Sequence, residues 1–130
     1  MAKISHPSQG QEITNVKRGE FYLVSFDPTV GHEIQKTRPA LIIQNDIGNR
    51  YSPLTIVAAV TSKLSLVTYP VEVVIEPSRS NGLDVRSAIR LDQVRTVDRQ
   101  RLIKCLGVAD ARTMAKVNQA IQISLGLIDV

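Results

Sequence analysis

Apolar and β-branched residues fall in short blocks along most of the chain, each closed off by turn chemistry. Blocks of that size are strand-like rather than helical. Phe21-Tyr22-Leu23-Val24-Ser25-Phe26 is the first and stops at Asp27-Pro28. Ala40–Ile43 is the second, introduced by Arg38-Pro39, and the missing proline N–H costs least at a strand start. Leu54–Val60, Val71–Ile75 and Ser87–Leu91 give a third, fourth and fifth strand, and Lys104–Leu106 a short sixth. Asn45–Asn49 is dense in turn residues and reads as a turn. Thr29–Thr37 is polar and longer than the ~2–5 residues of an ordinary hairpin loop. It reads either as a mobile functional flap or as a solvated loop.

The period changes after Asp110, a residue suited to cap a helix by accepting from an early backbone N–H. Met114, Val117, Ile121, Leu125 and Ile128 then form one apolar helical stripe, with Ala120, Ile123 and Leu127 on other sides. Such a helix is either sunk in its own core or also covered by a second copy. Closely spaced short strands followed by one helix predict a mainly β fold, a small barrel with an appended C-terminal helix. Met1–Asn15 shows no periodicity and reads as a tail, leaving residues 16–130 as one domain.

Composition narrows the class of protein. With 43% hydrophobic and 22% charged residues in a chain of 130, wholesale disorder is excluded. No apolar run approaches the ~20 residues of a membrane span, and no apolar leader opens the chain. A lone cysteine, Cys105, excludes an internal disulfide framework and fits a reducing cytoplasm. Cys105, His6 and His32 stand at no metal-ligand spacing, so no metal is expected. There is no phosphate-cradling glycine loop, zinc-protease helix motif or nucleophile elbow, and no cofactor is expected.

The formal charge is +4, and ten of the sixteen cations are arginine, the better phosphate fork. Six of those ten lie between Arg86 and Arg112. If Arg86–Thr96 is extended, Arg86, Ala88, Arg90 and Asp92 project one way and Ser87, Ile89 and Leu91 the other. That charged face is either a wet outer surface or one wall of a groove.

Several ordered blocks carry a resemblance. Val16-Lys-Arg-Gly-Glu-Phe-Tyr-Leu-Val-Ser-Phe-Asp-Pro28, Gly31-His-Glu33, Arg38-Pro39, Gln44-Asn-Asp-Ile-Gly-Asn-Arg50, Ile56-Val-Ala-Ala-Val-Thr61, Asp92-Gln-Val-Arg-Thr-Val-Asp98 and Ile121-Gln-Ile-Ser-Leu125 follow one another. Together they closely resemble the MazF/PemK family of toxin endoribonucleases, particularly the Gram-positive type. The resemblance implies a small SH3-like β-barrel of the CcdB/PemK type with a C-terminal helix, forming a two-fold homodimer. It implies metal-independent cleavage of single-stranded RNA (mRNA) at short motifs. The 2′-hydroxyl would attack the adjacent phosphate, leaving 2′,3′-cyclic phosphate and 5′-hydroxyl ends. It also implies a cognate antitoxin with an acidic, disordered tail.

Residue by residue, the resemblance puts Arg38 and Thr61 at the scissile phosphate, Arg38 neutralising the phosphorane and Thr61 donating a hydrogen bond. The PemK-like branch implies a different set, with Asp92 as base, Arg90 as acid and His32 steadying the phosphate. Glu33 matches a family glutamate that implies a substrate contact; Gln93 offers an amide to a base edge, Ser62 a hydroxyl to phosphate or ribose, and Lys36, a departure from the family flap, a further cation for RNA. Ile34-Gln35-Lys36-Thr37 is bulkier than the glycine-rich family flap, and the loop from Ser62 to Tyr69 fits the relatives less well. The alternative on the same fold is a CcdB-like toxin that binds gyrase and cuts nothing.

Overall fold

The computed structural model describes residues 15–26, 37–67 and 69–130. Strands β1 (Glu20–Ser25), β2 (Thr37–Ile42), β3 (Leu54–Thr61), β4 (Glu72–Ile75), β5 (Ser87–Asp98) and β6 (Leu102–Val108) form one antiparallel sheet in the order β4-β5-β3-β2-β1-β6. Helix α2 (Ala111–Ser124) packs against β4 and β5. Asp110 caps it, accepting from Thr113 N at 2.8 Å.

Two of the expected elements change. Asn45–Asn49 is not a simple turn: Asn45 accepts from Gly48 N at 2.7 Å and caps a one-and-a-half-turn helix, α1 (Asp46–Tyr51). The buried Asn49 amide locks it in place. It donates to Gln44 O at 2.9 Å and accepts from Thr55 Oγ1 at 2.7 Å, which satisfies a polar group that burial would otherwise penalise. The fifth strand, expected to stop at Leu91, runs on to Asp98. Residues 92–96 are exposed and mostly polar, so no apolar pattern marks them, but the backbone of Val94–Asp98 pairs with β3. Between those two stretches Ala58 pairs with Val94 and Ala59 with Arg90, so Leu91, Asp92 and Gln93 bulge out of the β3 ladder.

The sheet buries both faces. On the α2 side lie Phe21, Leu41, Ala58, Val60, Ile89, Leu91, Val73 and Val117. On the other face Tyr22, Val24, Ala40, Ile42, Val57 and Val97 form a second cluster, with Phe26 against it. The buried helical face differs from the expected stripe: Ala120, placed off it, is buried with Val117, while Leu125 caps the helix and lies exposed.

The sheet curls until its ends touch. The chain leaving β4 turns at Ser78–Gly82, and Ser80 O accepts from Val108 N at the end of β6, 2.7 Å away. Gly82 and Gly107 sit in that seam, where an added Cβ would fall 1.9 Å from Leu106 O and 2.2 Å from Ser80 O respectively. These glycines let the two backbones meet and close the barrel-like curl.

Candidate functional site

The strand register sets the site. Ala40 pairs with Ala59 and Leu41 with Ala58. Thr61 pairs with Ala88 on β5. Paired residues share a sheet face, as do residues two apart on a strand, so Arg38, two residues before Ala40, lies on the same face as Thr61 and Ala88. The row of Ala40, Ala59, Arg90 and Glu72 lies ~7 Å along the strands from the Thr61–Ala88 pair.

Arg38 and Thr61 wall one open cleft of about 310 Å³, together with Ser62, Lys63, Asp84 and Ser87. Pro39, beside Arg38, is tolerated in β2 because the ladder to β3 begins only at Ala40, so no β3 carbonyl needs its missing N–H. Thr61 Oγ1 accepts from Lys63 N at 3.1 Å, which turns the chain sharply out of β3. Accepting that bond leaves the hydroxyl proton available to an incoming oxygen, so Thr61 is set up as a donor.

Arg90 is engaged differently. Its Nε and Nη2 donate to Asp92 Oδ1 and Oδ2 at 3.0 and 2.9 Å, and Nη1 lies 3.3 Å from Glu72 Oε2. Ser65 Oγ donates to the same Glu72 oxygen at 3.3 Å. The fork raises the guanidinium pKa further and holds the Asp92 carboxyl below the usual aspartate range. Both shifts work against an Arg90 acid and an Asp92 base.

The predicted residues therefore separate. Arg38, Thr61 and Ser62 meet in the cleft; Arg90 and Asp92 pair on the same face one row away; Gln93 stands exposed in the bulge. His32, Glu33 and Lys36 lie outside the described residues. Sequence reasoning missed Glu72, whose side chain is only 2% exposed, along with Lys63 and Asp84 in the cleft wall. It also missed the stacking of Arg95 on Phe26, 5.0 Å from the ring centroid. Arg95 pairs with Val57 and so lies on the same face as Thr61. Cys105 is not part of this site. Burial pushes its thiol up, with the Glu20 carboxylate adding to the effect, so it is a weak nucleophile.

Three aspartates are held below their ordinary range by hydrogen bonds to the anion. Asp46 accepts from Arg18 N, Asp92 from Arg90 and Asp110 from Thr113 N. A depressed folded pKa contributes stability above the unfolded value of ~3.9 and loses it as pH falls through the folded value. The unfolding midpoint is expected to be level above about pH 5 and to drop below about pH 4. Asp46→Asn should flatten that drop in thermal melts taken across the range.

A curled six-stranded antiparallel sheet with a C-terminal helix, and an Arg/Thr cleft on the face away from that helix, defines the class of protein. Residues 17–125 match the model of the PemK-like, MazF-like toxin of type II toxin-antitoxin systems, and the chain belongs to that family. It is 47% identical over 114 residues to endoribonuclease EndoA of Bacillus subtilis (strain 168), covering 88% of this chain and 97% of that protein. It is 46% identical over 112 residues to endoribonuclease MazF of Staphylococcus saprophyticus, covering 86% and 92%. Among solved structures, MazE-MazF (Form-II) from Deinococcus radiodurans matches with a TM-score of 0.72 at 28% identity, over 88% of this chain and 98% of that one. A mycobacterial endoribonuclease in complex with its cognate antitoxin also gives 0.72, at 26% identity over 88% and 99%. No helix among the described residues is long and apolar enough to cross a membrane.

Proposed function

We propose that this chain is a sequence-specific endoribonuclease toxin, acting on single-stranded RNA and held in check by a cognate antitoxin. The observation that carries the reading is Arg38 and Thr61 lining one open cleft, in a chain 47% identical to an endoribonuclease. In this reading the ribose 2′-oxygen attacks the adjacent phosphorus and the 5′-oxygen leaves. The 2′-hydroxyl proton is lost as the new bond forms, and a proton is delivered to the departing oxygen. Negative charge grows on the non-bridging oxygens, and Arg38 offers them a fixed cation with a planar fork. Thr61 adds the hydroxyl donor that its bond from Lys63 N leaves free. Ser62 and Lys63 extend the phosphate-binding wall.

Arg90 fits a different role from Arg38, because its donors are already turned to Asp92 and Glu72. Asp92, held as an anion, is a weak base at neutral pH and serves better as a hydrogen-bond acceptor for the substrate. Arg95 stacked on Phe26 extends the same face with a cation and an aromatic surface, both suited to single-stranded RNA.

The working form is a homodimer in the cytoplasm, with residues 16–130 as its toxin domain. The antitoxin's acidic, disordered tail would lie across Arg38 and Lys63 and exclude RNA by charge mimicry. The test is incubation of the purified protein with a long single-stranded RNA in the presence of EDTA, with mapping of the ends. Fragments ending in 2′,3′-cyclic phosphate at a recurring short motif are expected. Intact RNA would overturn the reading and favour a non-cutting, gyrase-binding toxin.

A further inference from the structure

We infer that Glu72 is a positioning residue of the RNA-cleaving face, acting through Arg90 on Asp92; the inference rests on the ribonuclease reading above. Three observations converge. Asp92 lies in the bulge, where no β3 partner fixes its backbone, so its carboxylate is oriented by the Arg90 fork rather than by the ladder. Arg90 is in turn held from β4 by Glu72, its direct cross-strand partner. The Glu72 carboxylate is buried, 2% exposed against 39% for Asp92, so one end of the relay is anchored and the other faces solvent.

A buried carboxylate on an edge strand is costly unless it is paired, and here its partners are Arg90 and the Ser65 hydroxyl. Ser65 belongs to the segment that leaves β3 through Thr61, Ser62 and Lys63 of the cleft. Glu72 therefore ties the segment leaving the Arg38/Thr61 cleft to the exposed Asp92. Without the carboxylate, Arg90 loses one of its two anchors and its fork is free to tilt. Asp92 then samples positions away from the substrate. Misplacement of a substrate-facing group by ~1 Å costs as much as ~100-fold in rate.

The experiment measures kcat and KM on a short RNA oligonucleotide carrying the mapped site, for wild type, Glu72→Gln, Asp92→Asn and the double variant. Val117→Ala, a core substitution under α2, serves as the stability control. Glu72→Gln is expected to lower kcat/KM by ~10–100-fold at a temperature where it remains folded. In the Asp92→Asn background it should cost nothing further, because the residue it acts through is already gone. Val117→Ala should lower the melting point and leave kcat/KM unchanged. A Glu72→Gln protein that only melts earlier, as the control does, would overturn the inference. So would losses that multiply in the double variant.

If Glu72→Gln does not fold, Arg90→Lys decides, since lysine keeps the charge beside Glu72 but cannot form the fork to Asp92. The same loss is expected, and wild-type kinetics would refute the relay. A wild-type protein that leaves RNA intact would remove the ribonuclease reading itself, and the relay with it. Cleavage by wild type with unaffected relay variants removes the relay alone.

Discussion

Arg38→Ala is expected to cleave RNA ~10²–10³-fold more slowly than wild type under single-turnover conditions, with an unchanged unfolding midpoint. The size follows from removing one pre-arranged group aimed at developing charge, worth ~2.7–4 kcal/mol where it has been measured in other enzymes. The unchanged midpoint follows from place. Arg38 is exposed at the start of β2, and its side chain forms no ion pair with any described residue. Losing it removes neither packing nor a buried charge. Arg38→Lys should fall between the two, keeping the charge and losing the planar fork. Thr61→Ala should cost less than Arg38→Ala, since it removes one neutral donor and leaves the cation. Cleavage by Arg38→Ala at the wild-type rate would move the chemistry out of this cleft.

That cleft was legible in the sequence only through the family blocks, because nothing in strand periodicity says that Arg38 and Thr61 share a face. The register that joins them comes from pairing between β2 and β3. The core strands and α2 were legible for a simpler reason: their buried faces demand apolar blocks, and Asp110 announces the helix. Where the exposed surface decides nothing, the pattern fails. Asp92 and Gln93 bulge and Val94–Thr96 pair through exposed backbone, so β5 looked five residues long instead of twelve. The Asn/Asp/Gly content of Asn45–Asn49 hid a short helix, since the side chains that favour turns are also those that cap helices. Glu72 was invisible for a third reason. Nothing in the pattern of Val71–Ile75 marks its one carboxylate as buried, and only the fold shows it covered beside Arg90.

Closure of the sheet gives the largest expected effect on stability. Gly82 and Gly126 both have left-handed backbones, at φ of 70° and 75°. An alanine in that region costs ~1–2 kcal/mol for its Cβ alone. Their surroundings differ. At Gly126 the added Cβ meets nothing within 4 Å. This glycine follows the α2 cap, with its N–H on Ile123 O at 3.0 Å and that of Leu127 on Gln122 O at 2.7 Å, a Schellman ending. At Gly82 the Cβ would fall 1.9 Å from the Leu106 carbonyl oxygen, which is backbone and cannot swing aside. β6 must then move away, and the bond from Val108 N to Ser80 O that closes the curl must stretch or break. Gly126→Ala should lower the melting temperature by a few degrees, whereas Gly82→Ala should lose ~3 kcal/mol or more, about 10 °C or beyond. Differential scanning calorimetry on the two variants separates the shared conformational cost from the steric one. Equal shifts would mean that the β4–β6 seam adds nothing to stability and that the sheet is held by its ladders alone.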